Sequence, residues 1–221
     1  MSWIDVEFCG AALRALGSGA LFWPAERLLV VSDLHLGKSA RMAAQGGALL
    51  PPYEGRETLQ RLERDLEATG AKRVVCLGDS FDSAGIDLML PEDEQLWITR
   101  LQAGRDWIWV EGNHDPGPVS LGGRHLAALE LGGLVLRHIA ERGASGEISG
   151  HYHPKARLVL RGGRVISRPC FLLDAARLLM PAYGAYTGGL RTDSPALVGL
   201  MAADAQAILT GEAPLALPMP R

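Results

Sequence analysis

Cysteine is scarce in this chain of 221 residues: there are three, and no two are closely spaced. That argues against a disulfide framework and against a cysteine-rich zinc site, and it suits a reducing compartment. Cys76, inside an apolar run, reads as a small core residue. No apolar run approaches the roughly 20 residues needed to span a bilayer. The opening Met1-Ser2-Trp3-Ile4-Asp5 lacks the basic region and long apolar run of a secretion signal. The expectation is a cytoplasmic protein with no membrane association. Large net charge is lacking too: −3 overall, which by itself speaks against a generic nucleic-acid binder. Repeats, low-complexity tracts and long linkers are absent.

What is present is apolar content, 48%, enough for a chain of this length to bury roughly 70% of its unfolded surface. The spacing predicts strands at 3–8, 27–31, 73–77 and 107–110, with a further short apolar run at 19–23. It predicts helices at 54–69, with Leu59, Leu62 and Leu66 on one face and Gly70 as the stop, and at 91–103, opening on Pro91 and three acids. From about residue 130 the pattern turns β-rich, with short runs at 134–137, 157–161, 164–168, 171–173 and 178–180 and a turn at Gly162-Gly163. Alternation followed by a β-rich half implies an α/β sheet protein, one domain over 1–221. Pro214, Pro218 and Pro220 predict an irregular tail. Residues 120–191 hold ten Lys/Arg against four Asp/Glu, a local +6, Arg157, Arg161, Arg164 and Arg168 among them; the remainder is −9. Such a run reads either as a solvated face or as a surface that receives a polyanion.

Chemistry concentrates in four polar motifs and one isolated histidine: Asp33-Leu34-His35, Gly78-Asp79-x-x-Asp82, Gly112-Asn113-His114-Asp115, His138, and Gly150-His151-Tyr152-His153. The first three follow apolar strand-like runs, and ligands in open α/β sheets gather at the carboxyl ends of strands. Imidazole, carboxylate and amide oxygen together suit first-row metals. Two ions about 3.5–4 Å apart activate a bridging water and clamp phosphoryl oxygens during in-line displacement. Asp79 can bridge such a pair, and His114, adjacent to a ligand yet free, can assist the leaving group, with Asp82 orienting it through a carboxylate–imidazole hydrogen bond. Taken singly, each motif has an ordinary reading: a turn, a surface histidine, a satisfied core histidine. In combination they point to a two-metal site. His125 has no such company and reads as a surface residue.

The set Asp33-x-His35, Gly78-Asp79-x-x-Asp82, Gly112-Asn113-His114-Asp115, His138, Gly150-His151-x-His153 resembles the calcineurin-like metallophosphoesterases. The resemblance implies an αββα sandwich of two mixed β-sheets flanked by helices. It implies one metal on Asp33, His35, Asp79 and His153, a second on Asp79, Asn113, His138 and His151, and His114 as the leaving-group residue with Asp82 behind it. Ser83-Ala84 after Asp82, and Asp115 in place of Glu, depart from the protein Ser/Thr phosphatases. Leu21-Phe22-Trp23-Pro24-Ala25-Glu26-Arg27, Asp33-Leu34-His35-Leu36-Gly37-Lys38, Arg168-Pro169-Cys170-Phe171 and Pro181 to Leu190 (PAYGAYTGGL) resemble the ligase-associated metallophosphoesterases of bacteria, a group described as DNA endonucleases or phosphodiesterases tied to DNA repair. Many of that group carry Glu-Pro after the fourth-motif histidine, where this chain has Ile139-Ala140.

The leading expectation is a phosphodiesterase or nuclease acting on DNA. It would use two divalent ions, Mn first and Fe, Zn or Ni as alternatives, with DNA-ligase or helicase repair partners implied by the resemblance alone. Lys38 and Arg41, close behind a metal motif, are candidate phosphate contacts. Residues 186–189 read either as a turn that packs the C-terminal part or as a loop bordering the cleft. The same metal site would also serve a small-molecule phosphatase, a cyclic-nucleotide phosphodiesterase or a nucleotide pyrophosphatase. A non-catalytic scaffold is the reading from another class.

Overall fold

The computed structural model describes residues 2–39, 53–83, 85–160 and 162–221; Arg41, Ala84 and Arg161, named above, lie outside them. The first sheet contains β1 (Trp3–Phe8), β2 (Ala11–Leu16), β3 (Leu21–Trp23), β4 (Leu28–Val31), β5 (Arg73–Leu77), β6 (Asp106–Val110) and β7 (Arg124–Leu126), side by side in chain order. Its first four strands are antiparallel, and β4 to β7 are parallel. Strands β4, β5 and β6 are buried on both faces, which explains their apolar runs. In β6, Trp107 and Trp109 face the helices while Ile108 and Val110 face the second sheet. Helices α1 (Glu54–Thr69) and α2 (Glu92–Gln102) cover the outer face. Leu59, Leu62 and Leu66 of α1 are each 1% exposed there, and each such side chain contributes about 1.5–3 kcal/mol of burial. Gly70, left-handed at φ 62°, ends α1 as its position predicts. Pro91 stands one residue before the first helical position of α2.

The second sheet contains β8 (Ala128–Leu131), β9 (Leu134–Arg137), β10 (Glu147–Ser149), β11 (Lys155–Val159), β12 (Val165–Leu173), β13 (Arg177–Leu179), β14 (Gln206–Leu209) and β15 (Leu215–Pro218). Its centre, β9–β10–β13, is parallel; the flanks are antiparallel. Short α3 (Pro195–Leu200) packs Leu197 onto the outer face, against Leu172 and Leu179. The order of layers is therefore helix, sheet, sheet, helix, with the inter-sheet core formed by residues such as Val30, Val75, Ile108, Leu136, Ile148 and Phe171. Among the described residues no helix is long and apolar enough to cross a membrane.

Three differences from the sequence reading have physical causes. The proline-bearing tail is not irregular: Leu215–Pro218 pairs with β14 as an edge strand, where a proline costs no ladder bond on its open side. The runs 164–168 and 171–173 fuse into one nine-residue strand through Pro169, and the predicted hairpin closes with Val159 opposite Val165. Strand β2 went unforeseen; its signal was the Cys9-Gly10 turn, both residues at positive φ, which closes a two-residue hairpin onto β1.

Candidate metal centre

Every motif that carries chemistry begins where a parallel strand ends. Asp33 follows β4, Asp79 follows β5 and Asn113 follows β6; His138 follows β9 and His151 follows β10. Since the two sheets are packed face to face, these five carboxyl ends form one rim. Ladder-like bonds stitch its near side: His35 N–H donates to the Asp79 carbonyl (3.0 Å) and Asp33 N–H to that of Gly78 (3.2 Å). Asp33, His35, Asp79, His151 and His153 all have positive φ, between 45° and 70°. That conformation is unfavourable for residues with a Cβ and concentrates at functional sites.

Two donor groups result. Asp33, His35 and His153 place one ligand atom each within 4.8 Å of one another, and so do Asp79, His138 and His151. Asn113 joins the second group, its Oδ1 lying 3.0 Å from His138 Nε2. That same Nε2 also lies 3.3 Å from Asp79 Oδ2 and 3.3 Å from His151 Nδ1. Its partner atom Nδ1 faces the Leu77 carbonyl at 2.8 Å; a carbonyl only accepts, so Nδ1 carries the hydrogen. In the neutral ring Nε2 then offers a lone pair, and it faces the Asn113 and Asp79 oxygens and a second imidazole nitrogen, a set of ligand atoms that a cation suits. In the first group His153 Nε2 and Asp33 Oδ1 approach to 2.9 Å, yet neither buried atom has a hydrogen-bond partner. The donor chemistry thus fits two divalent ions.

Electrostatics agree with the geometry. Burial alone would raise the Asp79 carboxyl, but the His138 hydrogen bond and charge, with the His114 amide and charge, outweigh it and hold it at about 2. Burial lowers His138, yet the bond to Asp79 and the charges of Asp33 and Asp79 raise it on balance. Burial and the His138 charge lower His151.

The structure places His114 apart from the two donor groups. Its side chain is 46% exposed, against 3% for Asp79. Its Nδ1 lies 3.2 Å from the Asp82 main-chain carbonyl, and its Nε2 turns toward the cleft, 4.0 Å from Asp79 Oδ2. The contact expected from the Asp82 carboxylate is thus made by that residue's backbone; Asp82 Oδ1 itself lies 3.3 Å from His35 Nδ1. Lys38 Nζ donates to the Tyr186 carbonyl at 3.3 Å, and Arg41 lies outside the described residues. His125 is half-buried on β7, where its Nε2 accepts from Val119 N–H.

Sequence reasoning missed three supports. Asp115 accepts from the Ser80 and Phe81 amides (2.7 and 3.1 Å) and fixes the loop behind Asp79; burial and the Asp79 charge push its carboxyl up to about 6 against those bonds. Ser32 donates to Asp33 Oδ2, which also receives the His151 amide at 3.0 Å. The third is the segment after β13, residues 181–190. The amides of Tyr183 and Gly184 donate to the Ser32 and Asp33 carbonyls (2.7 and 3.1 Å), and Leu190 N–H donates to the Tyr152 carbonyl (3.1 Å). The Tyr183 hydroxyl donates to buried Asp65 of α1 at 2.8 Å. A Cβ at Gly189 would stand 2.1 Å from the His153 carbonyl oxygen. This strap therefore ties the Asp33 loop to the His153 loop across the first donor group.

The model of one protein family, the calcineurin-like phosphoesterases, matches residues 26–168, a span that contains all seven proposed ligands. The chain belongs to the calcineurin-like phosphoesterase family. Members of this family work with a dinuclear metal centre, and the two donor groups are candidate metal-binding clusters here. Like them, the protein is a metal-dependent phosphoesterase, a hydrolase of phosphoric ester bonds. Among solved structures, that of Pseudomonas putida nuclease MPE is similar at a TM-score of 0.74 and 29% identity, covering 97% of this chain and 100% of that one. No curated protein matches the chain.

Proposed function

We propose that this phosphoesterase is a two-metal phosphodiesterase acting on nucleic acid, with DNA as the favoured polymer and Mn²⁺ as the favoured metal; Fe, Zn and Ni suit the same donors. The observation that carries the reading is the pair of donor groups on one rim, in a chain similar along nearly its whole length to a protein described as a nuclease. Asp33, His35 and His153 would hold one ion and Asn113, His138 and His151 the other, with Asp79 shared. The ions, when bound, supply Lewis-acid activation of water and neutralise charge at the phosphoryl oxygens.

The chain's own work is orientation and proton handling. The Asp82 carbonyl fixes His114 through Nδ1 and leaves Nε2 toward the cleft, where a protonated ring can donate to the departing oxygen. Asp82 acts as a positioning residue for His114 and His35. Lys38, close behind the His35 loop, is a phosphate contact.

The test is nicking of supercoiled plasmid, and cleavage of single-stranded oligonucleotides, with Mn²⁺. We expect cleavage by the wild type and none by Asp79→Ala. Protein that hydrolyses p-nitrophenyl phosphate, yet leaves bis(p-nitrophenyl) phosphate and every nucleic acid intact, would be a monoesterase, and the reading would fall.

A further inference from the structure

The strap forms the wall of a second hollow. Gly184, Ala185, Tyr186 and Thr187 line a cavity of about 480 Å³ together with Arg61 and Lys155. Lys155 Nζ donates to the Thr187 carbonyl at 2.8 Å and Lys38 Nζ to the carbonyl of Tyr186, the preceding residue. The two ammonium groups are thus anchored on the carbonyls of adjacent residues. Among the described residues neither lysine has a carboxylate partner. Each ammonium carries three N–H donors, and one carbonyl accounts for one of them. Two like charges held side by side without a counter-ion favour an anion between them.

Further observations identify the anion. Tyr186 is 53% exposed and held at φ 56°, with Lys38 on its own carbonyl and Lys155 on that of the next residue; an exposed aromatic ring suits a stacked nucleobase. The cavity shares Gly17, Ser18, Arg61 and Gly211 with an adjoining hollow of about 510 Å³, lined also by Arg64, Asp65 and Glu212, so the two hollows are continuous. Arg168 Nη1 flanks it, 3.4 Å from where a Cβ on Gly211 would stand. Glu57 is the one carboxylate of the first cavity, and it is paired with Arg61 at 3.2 Å. The same strap touches Asp33 and His153, so the groove adjoins the first donor group.

We propose that this groove is an anchoring subsite for a single-stranded nucleic-acid segment leading away from the metal centre, with Lys38 and Lys155 on its phosphates and Tyr186 stacked on a base. The proposal rests on the nucleic-acid reading above and specifies where the strand lies. Lys155 and Tyr186 are then specificity residues that act on the polymer and not on the scissile bond.

The test compares a ten-nucleotide oligothymidylate with bis(p-nitrophenyl) phosphate, both with Mn²⁺. Lys155→Gln and Tyr186→Ala should each raise KM for the oligonucleotide about tenfold, a stacked base or phosphate contact being worth about that, with kcat changed less than about twofold. Lys155→Arg should restore KM. In Lys155→Gln the slope of log KM against log salt should fall by about one phosphate's worth, ~0.7; in Tyr186→Ala it should hold. Unchanged KM in both variants overturns the proposal, as does an equal loss on the small diester, which would mean a damaged strap. Failure of the underlying reading looks different: wild-type protein that cleaves the small diester but no oligonucleotide.

Discussion

Gly78 and His138 are in face contact across the two sheets: a Cβ on Gly78 would lie 2.5 Å from Cγ of the His138 ring. Gly78 is also left-handed, φ 72°. The residue before Asp79 therefore has two independent reasons to lack a side chain. Gly78→Ala should push His138 off the Leu77 carbonyl and strain the backbone, at a cost of about 1–3 kcal/mol for the strain. Thermal melts should show a fall of several degrees, and Mn²⁺ titration a weakened second site. A variant that melts and binds as the wild type would show that the ring has room to move.

The His114 side chain is 46% exposed, against 3% for the proposed bridging ligand Asp79, so its removal should separate chemistry from metal binding. His114→Ala is expected to lower kcat by about 10²–10⁴ and to leave Mn²⁺ affinity within about twofold by calorimetry. Loss of a bound ion in this variant would make His114 a ligand.

Metal should stabilise the fold, because the donor groups leave buried atoms such as Asp33 Oδ1 and His153 Nε2 unpartnered. At a free Mn²⁺ concentration about 100-fold above Kd, linkage supplies about 2.7 kcal/mol per ion, or roughly 5–10 °C in Tm for a chain of this size. Differential scanning fluorimetry with chelator and then Mn²⁺ reads this directly, and Asp79→Ala should lose most of the shift. Equal melting with and without metal would contradict it.

Glu94, in the first turn of α2, is 5% exposed. Burial, then the nearby charges of Glu54 and Asp93, push its carboxyl up to about 7 against the pull of Arg56. The folded protein therefore retains a proton that the unfolded chain releases near its ordinary value of 4.5. Stability should fall as pH rises from about 4.5 to about 7 and then level off, by about 3 kcal/mol at most. Denaturant melts across this range should show the slope in the wild type and a flatter profile in Glu94→Gln. An identical profile in both would assign the slope to other groups.

The basic stretch shows why a charge count misleads. Of the cations in 120–191, Arg124 pairs with Asp106, Arg137 with Glu141, Arg177 with Glu147 and Arg191 with Asp193. Linear sequence cannot show which acids a fold brings opposite. The proposed groove takes Lys155 from that stretch and Lys38 from outside it.

The sequence by itself determined the strands that lead into Asp33, Asp79 and Asn113, the helix at Glu54–Thr69 and the residue types of the candidate metal centre. Those features are local: apolar runs, a 3.6-residue period, a glycine stop, and side chains whose ligand chemistry does not depend on their neighbours. Tertiary structure decided the rest. It set His114 on the Asp82 carbonyl, turned the proline-bearing tail into an edge strand and gave PAYGAYTGGL its place between the Asp33 and His153 loops. These depend on contacts between residues far apart in the chain, where main-chain carbonyls, invisible in a sequence, do much of the holding.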